Sequence, residues 1–343
     1  GEFKRDTILS PIFVTLEVFL EVLLPTLMAL VIDNGVETGD MNYVMKMGLI
    51  MLVVAMLSLA AGTLSGVFAA KASMGFGRNL RRGMFDNIQD FAFRNIDHFS
   101  TAGLVTRMTT DVTNVQNAYQ MILRIAVRAP FTLICSMIMC FVINAKLSLI
   151  FVIAIIVLGA FIIVVVKTTM KIFDMVFKKY DALNASVQEN VSAIRVVKAF
   201  VREDYENKKF ITAAENVYKL FVKAEGILAF NGPVMMLVVY FCIICLSWFG
   251  AKFIVVGNMT TGELTSMFSY IMSILMSLMM LSMIFVMTTL SIASGKRIAE
   301  VLNDKADLVN PKNPIMEVKN GSIDFNHVEF TYNDEAEKDT LID

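Results

Sequence analysis

Six stretches of the chain are apolar over enough residues to cross a bilayer, near 8–32, 44–68, 123–143, 147–166, 228–251 and 263–290. A hydrocarbon core of about 30 Å takes roughly 20 helical residues, and it holds no water to satisfy a bare backbone, so each stretch must be a helix. No other feature restricts the fold as strongly. Of 343 residues, 56% are hydrophobic and 18% charged, far from the composition of a soluble domain. The net charge of −1 is spread as segregated blocks, which argues against nucleic acid as a partner.

Those blocks orient the helices. Residues 69–128 carry Lys71, Arg78, Arg81, Arg82, Arg94, Arg107, Arg124 and Arg128, and residues 167–225 hold a larger basic set. The short connections at 33–40 and 144–146 are acidic or nearly uncharged. By the positive-inside rule the long basic segments and both termini are expected in the cytosol. These segments also keep helical character. From Leu147 to Phe200 there is a single glycine, Gly159, and no proline. An apolar stripe continues through Ile172, Val176, Tyr180, Leu183, Val187, Val191, Ile194 and Val197 at steps of three and four. One helix over 147–200 is therefore expected, about 80 Å long at 1.5 Å per residue and projecting far beyond the membrane. The second span is expected to continue likewise toward Phe93. After the sixth span, Ile323, Phe325, Val328 and Phe330 alternate with polar residues, with a slip at Asn326 and His327, which is strand patterning that one edge cannot bury alone.

Within the membrane the sharpest feature is Glu17 with Glu21, four residues apart on one helix face, followed by Pro25, which cannot donate to the carbonyl of Glu21. Ionisable groups at this depth face a bundle interior or a watery cavity. Two readings stand side by side: a substrate pathway, or structural hydrogen bonding between helices. Glu17 lies 14 residues before Val31, about 21 Å below the outer end of its span, and Arg128 lies about 22 Å below Ile143 in the third span. Opposite charges at one level are far less costly together than apart, so Glu17 and Arg128 are expected to pair in at least one state. Arg124 and Arg128 are alternatively placed to snorkel to the inner interface. The sixth span concentrates Met267, Met272, Met276, Met279, Met280, Met283 and Met287 out of 25 methionines. Soft, flexible thioethers suit a polyspecific cavity, with Met276 and Met283 the candidates, although packing explains a methionine equally well. Cys242 and Cys245 have a metal or redox spacing but sit in an apolar run without a second pair, and His98 and His327 belong to no ligand pattern. No metal site is expected.

Together these residues resemble one half of an ATP-binding-cassette (ABC) exporter of the six-helix, long-intracellular-helix kind. The most specific stretches are FSTAGLVTRMTTD at 99–111, AIRVVKAFVREDYE at 193–206 and SIASGKRIAEVL at 291–302. LRIAVRAP at 123–130 and the methionine-rich sixth span are similar to heterodimeric bacterial multidrug exporters. The resemblance implies an α-helical membrane protein with a transmembrane domain at 1–302, a linker at 303–321 with Pro311 and Pro314, and the first strands of a nucleotide-binding domain at 322–343. It implies Tyr332 stacked on adenine, where an isolated reading gives only a surface tyrosine. It also implies short helices at the cytosolic tips, near 99–105 and 202–207, that touch the nucleotide-binding domains through Phe99, Thr101, Arg202, Glu203, Tyr205 and Glu206; the plain alternative is a solvated turn. The expected intact protein is an ATP-hydrolysing translocase of the cell membrane using ATP and Mg2+, paired with a second half-transporter in a heterodimer. Its expected cargo is small hydrophobic or amphipathic compounds, with a lipid or peptide as the alternative. No G-x-x-x-x-G-K-[ST] phosphate loop occurs in the 343 residues, so they are not expected to hydrolyse ATP alone and read as truncated early in that domain.

Overall fold

The computed structural model describes residues 2–305, 313–314, 316–317, 320–330 and 341–342. Six helices among the described residues are long and apolar enough to cross a membrane. Helix α1 (Lys4–Val31) runs into a π-helical turn, Ile32–Val36, and then a tight connection in which Gly39 takes φ +71°. Asp40 caps α2 (Met41–Gln89) by accepting from the Tyr43 N–H. With no proline in its 49 residues, α2 extends about 73 Å, more than twice the hydrocarbon thickness. Two short helices, α3 (Phe93–Phe99) and α4 (Thr101–Thr106), meet at Ser100, whose φ of +53° breaks the helical path. A π-helical turn at Arg107–Asp111 then feeds α5 (Val112–Ile143).

Asn144 starts α6 (Ala145–Ser192) by accepting from the Lys146 and Leu147 N–H groups. The single helix expected over 147–200 is interrupted. Ala193 leaves the helical region (φ −97°, ψ 15°), α7 (Ile194–Ala199) follows, and Val201 with φ +51° turns the chain into α8 (Glu203–Ala229). The first turn of α8 gathers Glu203, Asp204 and Glu206, the charge that a helix N-terminus favours. Residues 202–207 thus open a long return helix, and the short helix at this tip is Ile194–Ala199. Pro233 cannot donate to the Ala229 carbonyl, which accounts for the joint before α9 (Asn231–Val255). Thr260 and Glu263 form a reciprocal capping box at the start of α10 (Thr261–Asn303).

Helices α1 and α2, α5 and α10, and α6 and α8 form the main packed pairs. In the membrane region α1, α5, α6, α9 and α10 share one core around Val18, Phe151, Leu246, Met267 and Tyr270. A second core, Met84, Phe99, Leu104, Val112, Ile298 and Val301, binds α2, the short helices, α5 and α10 beyond the membrane. A third, Ile172, Val176 and Ala224, joins α6 to α8, while Tyr180, Val187, Val191 and Ile194 of the expected stripe stay exposed. At the short-loop face, Asp33 accepts from the Thr260 hydroxyl at 2.7 Å and the Gly262 N–H at 2.8 Å, fixing α10 to α1. The strand expected from Ile323 starts later. Residues 320–325 form no ladder, and pairing among the described residues is confined to β1 (Glu329–Phe330) with β2 (Leu341–Ile342), antiparallel. An alternating pattern becomes a strand only where a partner lies beside it.

Candidate functional site

The charged centre of the membrane region forms where α1, α2 and α5 meet. Arg128 donates from Nη1 to Glu17 Oε1 at 2.6 Å and from Nη2 to both carboxylate oxygens of Glu21 at 2.7 Å. The arginine expected opposite Glu17 therefore bridges both carboxylates. Their surroundings differ: the Glu17 side chain is 11% exposed and that of Glu21 40%. Glu17 lies flat against α2 at Gly62, where a Cβ would stand 2.7 Å from Oε1. Its second oxygen, Oε2, is buried with no hydrogen-bond partner among the described residues. An open groove of about 580 Å³ begins at this pair and runs along a small-residue face of α2 that includes Ser58, Gly62 and Gly66. Arg124 also lines it, with no ion pair among the described residues. A buried carboxylate oxygen without a donor is costly, so a hydrogen-bond donor or cation in the groove is favoured once the Glu17 carboxylate turns Oε2 toward it.

Above this centre, Tyr270 of α10 reaches into the proline-weakened turn of α1. Its hydroxyl lies 2.8 Å from the Val22 carbonyl and 2.7 Å from the Thr26 hydroxyl, and the Ser266 hydroxyl donates to the Pro25 carbonyl at 2.8 Å. The turn opened by Pro25 is thus stitched to α10, a contact that residue spacing alone did not show. On the same helix, Met272, Met276, Met279, Met283 and Met287 form one exposed ribbon, whereas Met267 is fully buried. Met276 and Met283 therefore lie on an open face of α10. All four cysteines are free, and Cys140 and Cys242 are buried among apolar side chains.

The tips of the extensions carry the other expected residues. Thr101 and Val105 are exposed on α4, but Phe99 is 7% exposed, stacked on Phe91 at 5.7 Å with the Arg107 guanidinium 4.7 Å from its ring centroid. This corrects the expected tip surface: Phe99 is committed to the chain's own core, because α3 and α4 fold back on α2 and α10. On the other tip, Arg202 lies over the exposed Tyr205 ring at 5.4 Å, Lys198 reaches Glu203 at 3.0 Å, and Glu206 accepts from Asn190 at 3.3 Å. The Glu203 carboxyl is held below the ordinary range by its own backbone N–H and then by Lys198. Tyr332 lies outside the described residues.

One arrangement here was not anticipated. Asp111, fully buried, accepts from Arg297 Nε at 2.7 Å, from Arg297 Nη2 and from the Ser294 hydroxyl at 2.9 Å. Hydrogen bonding by Arg297 holds the Asp111 carboxyl below its usual value against the opposing effect of burial. Arg107 reaches Glu300 at 3.0 Å, and Asn87 donates to the Val301 and Asp304 carbonyls at 2.6 and 2.9 Å. The end of α10 is thereby locked to the far end of the first extension, next to its tip.

These features define a multi-pass helical membrane protein with long extramembrane levers and a charged groove between its helices. The chain belongs to the ABC transporter transmembrane region family, which matches residues 7–279. It is 34% identical over 316 residues to the uncharacterized ABC transporter ATP-binding protein YfiB of Bacillus subtilis (strain 168), covering 92% of this chain and 55% of that protein. An uncharacterized ABC transporter ATP-binding protein of Mycobacterium tuberculosis is 31% identical, covering 85% of this chain and 50% of the relative. An ATP-dependent lipid A-core flippase of Desulfotalea psychrophila is 26% identical, covering 75% of this chain and 45% of the relative. The chain thus spans about half the length of the curated relatives it matches.

Proposed function

We propose that this chain is the transmembrane half of an ATP-driven exporter that carries amphipathic or hydrophobic, drug-like compounds out of the cell by alternating access. The observation that carries this reading is the groove at Glu17: a buried carboxylate oxygen without a donor, beside an arginine already engaged by two carboxylates. A protonated amine in the groove supplies the missing donor once the Glu17 carboxylate turns Oε2 toward it, and the exposed Met276 and Met283 offer an adaptable apolar surface on α10. The long extensions and both termini lie in the cytosol, following the distribution of lysine and arginine. Their tips, through Thr101, Arg202, Glu203, Tyr205 and Glu206, contact nucleotide-binding domains, and the Asp111–Arg297 joint makes the end of α10 move with the first lever. Residues 1–302 make the transmembrane domain, 303–321 the linker, and 322–343 the opening of the nucleotide-binding domain, with Tyr332 against adenine. ATP and Mg2+ are held by the remainder of that domain, since residues 1–343 contain no phosphate loop. A second half-transporter completes the site, as a heterodimer in the bacterial multidrug manner, in the cell membrane.

A lipid exporter is the second reading, favoured by the similarity to proteins named lipid A-core flippases. Substrate-stimulated ATP hydrolysis in the intact complex separates the two. Stimulation by amphipathic amines, reduced in Glu17→Gln, supports drug export. Stimulation by lipid alone, unchanged in Glu17→Gln, supports the second reading.

A further inference from the structure

We infer that the loop-side end of α9 is a binding site for an anionic phospholipid in the leaflet next to the short connections. The face concerned recurs every fourth residue, at Ile244, Trp248, Lys252 and Val256, and lines an open cavity of about 790 Å³. Trp248 is the only tryptophan in the chain and is 64% exposed; Val256 is 71% exposed. These side chains pack on nothing that would hide them within this subunit.

The polar end of the cavity is built around one cation. Lys252 Nζ lies 5.2 Å from the centroid of the Trp248 ring. The ring attracts the ammonium and fixes its direction without using up its N–H donors as a carboxylate would. Lys252 has no salt bridge among the described residues, and no acidic side chain lines the cavity. The Ser247 hydroxyl is already spent on the Ile243 carbonyl at 2.8 Å. Lys252 stands in the last turn of α9, at interface depth, and Ile244 lies eight residues deeper, about 12 Å. A lipid phosphate at Lys252, a glycerol region at the tryptophan ring and an acyl chain descending past Ile244 satisfy every group of this face. A choline headgroup neutralises its own phosphate, so a lone ammonium prefers a headgroup of net negative charge, by about five-fold for one lysine. The site is separate from the Glu17 groove and does not depend on which compound the exporter carries.

Quenching of Trp248 by brominated lipid tests the site in the full-length transporter with its partner subunit, in nanodiscs. Emission of the unmodified protein minus that of Trp248→Phe isolates Trp248 from any other tryptophan in the complex. Brominated phosphatidylglycerol at a low mole fraction in phosphatidylcholine should quench Trp248 as strongly as about five times as much brominated phosphatidylcholine. Lys252→Gln should bring that ratio to about one, and Lys252→Arg should keep it. Equal quenching by both lipids in the unmodified protein overturns the inference, as does no quenching by either, which would mean that the partner subunit covers this face.

Discussion

Removing charges one at a time from the Glu17–Arg128–Glu21 centre has a cost that the geometry orders. Arg128→Gln strands Glu17, whose side chain is 11% exposed, and breaking a buried pair from one side costs about 3–5 kcal/mol. Glu21, 40% exposed, adds no more than a surface pair, about 1 kcal/mol or less. The expected loss for Arg128→Gln is therefore about 4 kcal/mol. Glu17→Gln leaves Arg128 with both of its bonds to Glu21, so only one charge-assisted bond is lost, about 1.5–2 kcal/mol. The double variant strands no buried charge and should cost about 2 kcal/mol, against a sum of about 6, a coupling near 4 kcal/mol. Equilibrium unfolding of the four proteins in detergent micelles reads this cycle directly. Additivity within about 0.5 kcal/mol would refute the argument that the two groups share one buried charge balance.

Three further outcomes follow from contacts elsewhere. Gly62→Ala sets a methyl group 2.7 Å from Glu17 Oε1 and should lower stability by about 1–3 kcal/mol in the same unfolding assay, with transport reduced alongside. Asp111 has its pKa depressed in the folded state, so its contribution is complete above the unfolded value of about 3.9 and is lost as pH falls through the lower folded value. Asp111→Asn should therefore destabilise the protein at pH 7 and flatten the acid limb of its stability profile, measured by thermal melts across pH. Tyr205→Ala combined with Glu206→Ala should leave substrate binding near normal while lowering transport per ATP hydrolysed, measured in parallel in proteoliposomes.

The six spans were legible because hydropathy over 20 residues leaves a helix no alternative, and the long extensions because their apolar period survives beyond the membrane. Glu17 and Arg128 were placed at one level by helical rise alone, and they meet at 2.6 Å. The share taken by Glu21 was not legible, since it depends on which way one guanidinium turns. Asp111 and Arg297 stood in two of the stretches that carried the family resemblance, yet nothing in either stretch names a partner 186 residues away. The burial of Phe99 was not legible either: its expected place at the tip came from the family resemblance, and Phe91 and Arg107 cover it only once the helices pack. The break at Ala193 rests on a local φ and ψ that alanine, a strong helix former, does not advertise.

ATP-dependent accumulation of a fluorescent amphipathic amine in inside-out vesicles holding the full-length transporter and its partner subunit is the most direct test of the account. Accumulation should require hydrolysable ATP, compete with other amphipathic amines and fall several-fold in Glu17→Gln while a neutral hydrophobic dye is spared. Accumulation that ignores ATP, or an equal response of charged and neutral dyes to Glu17→Gln, would contradict it.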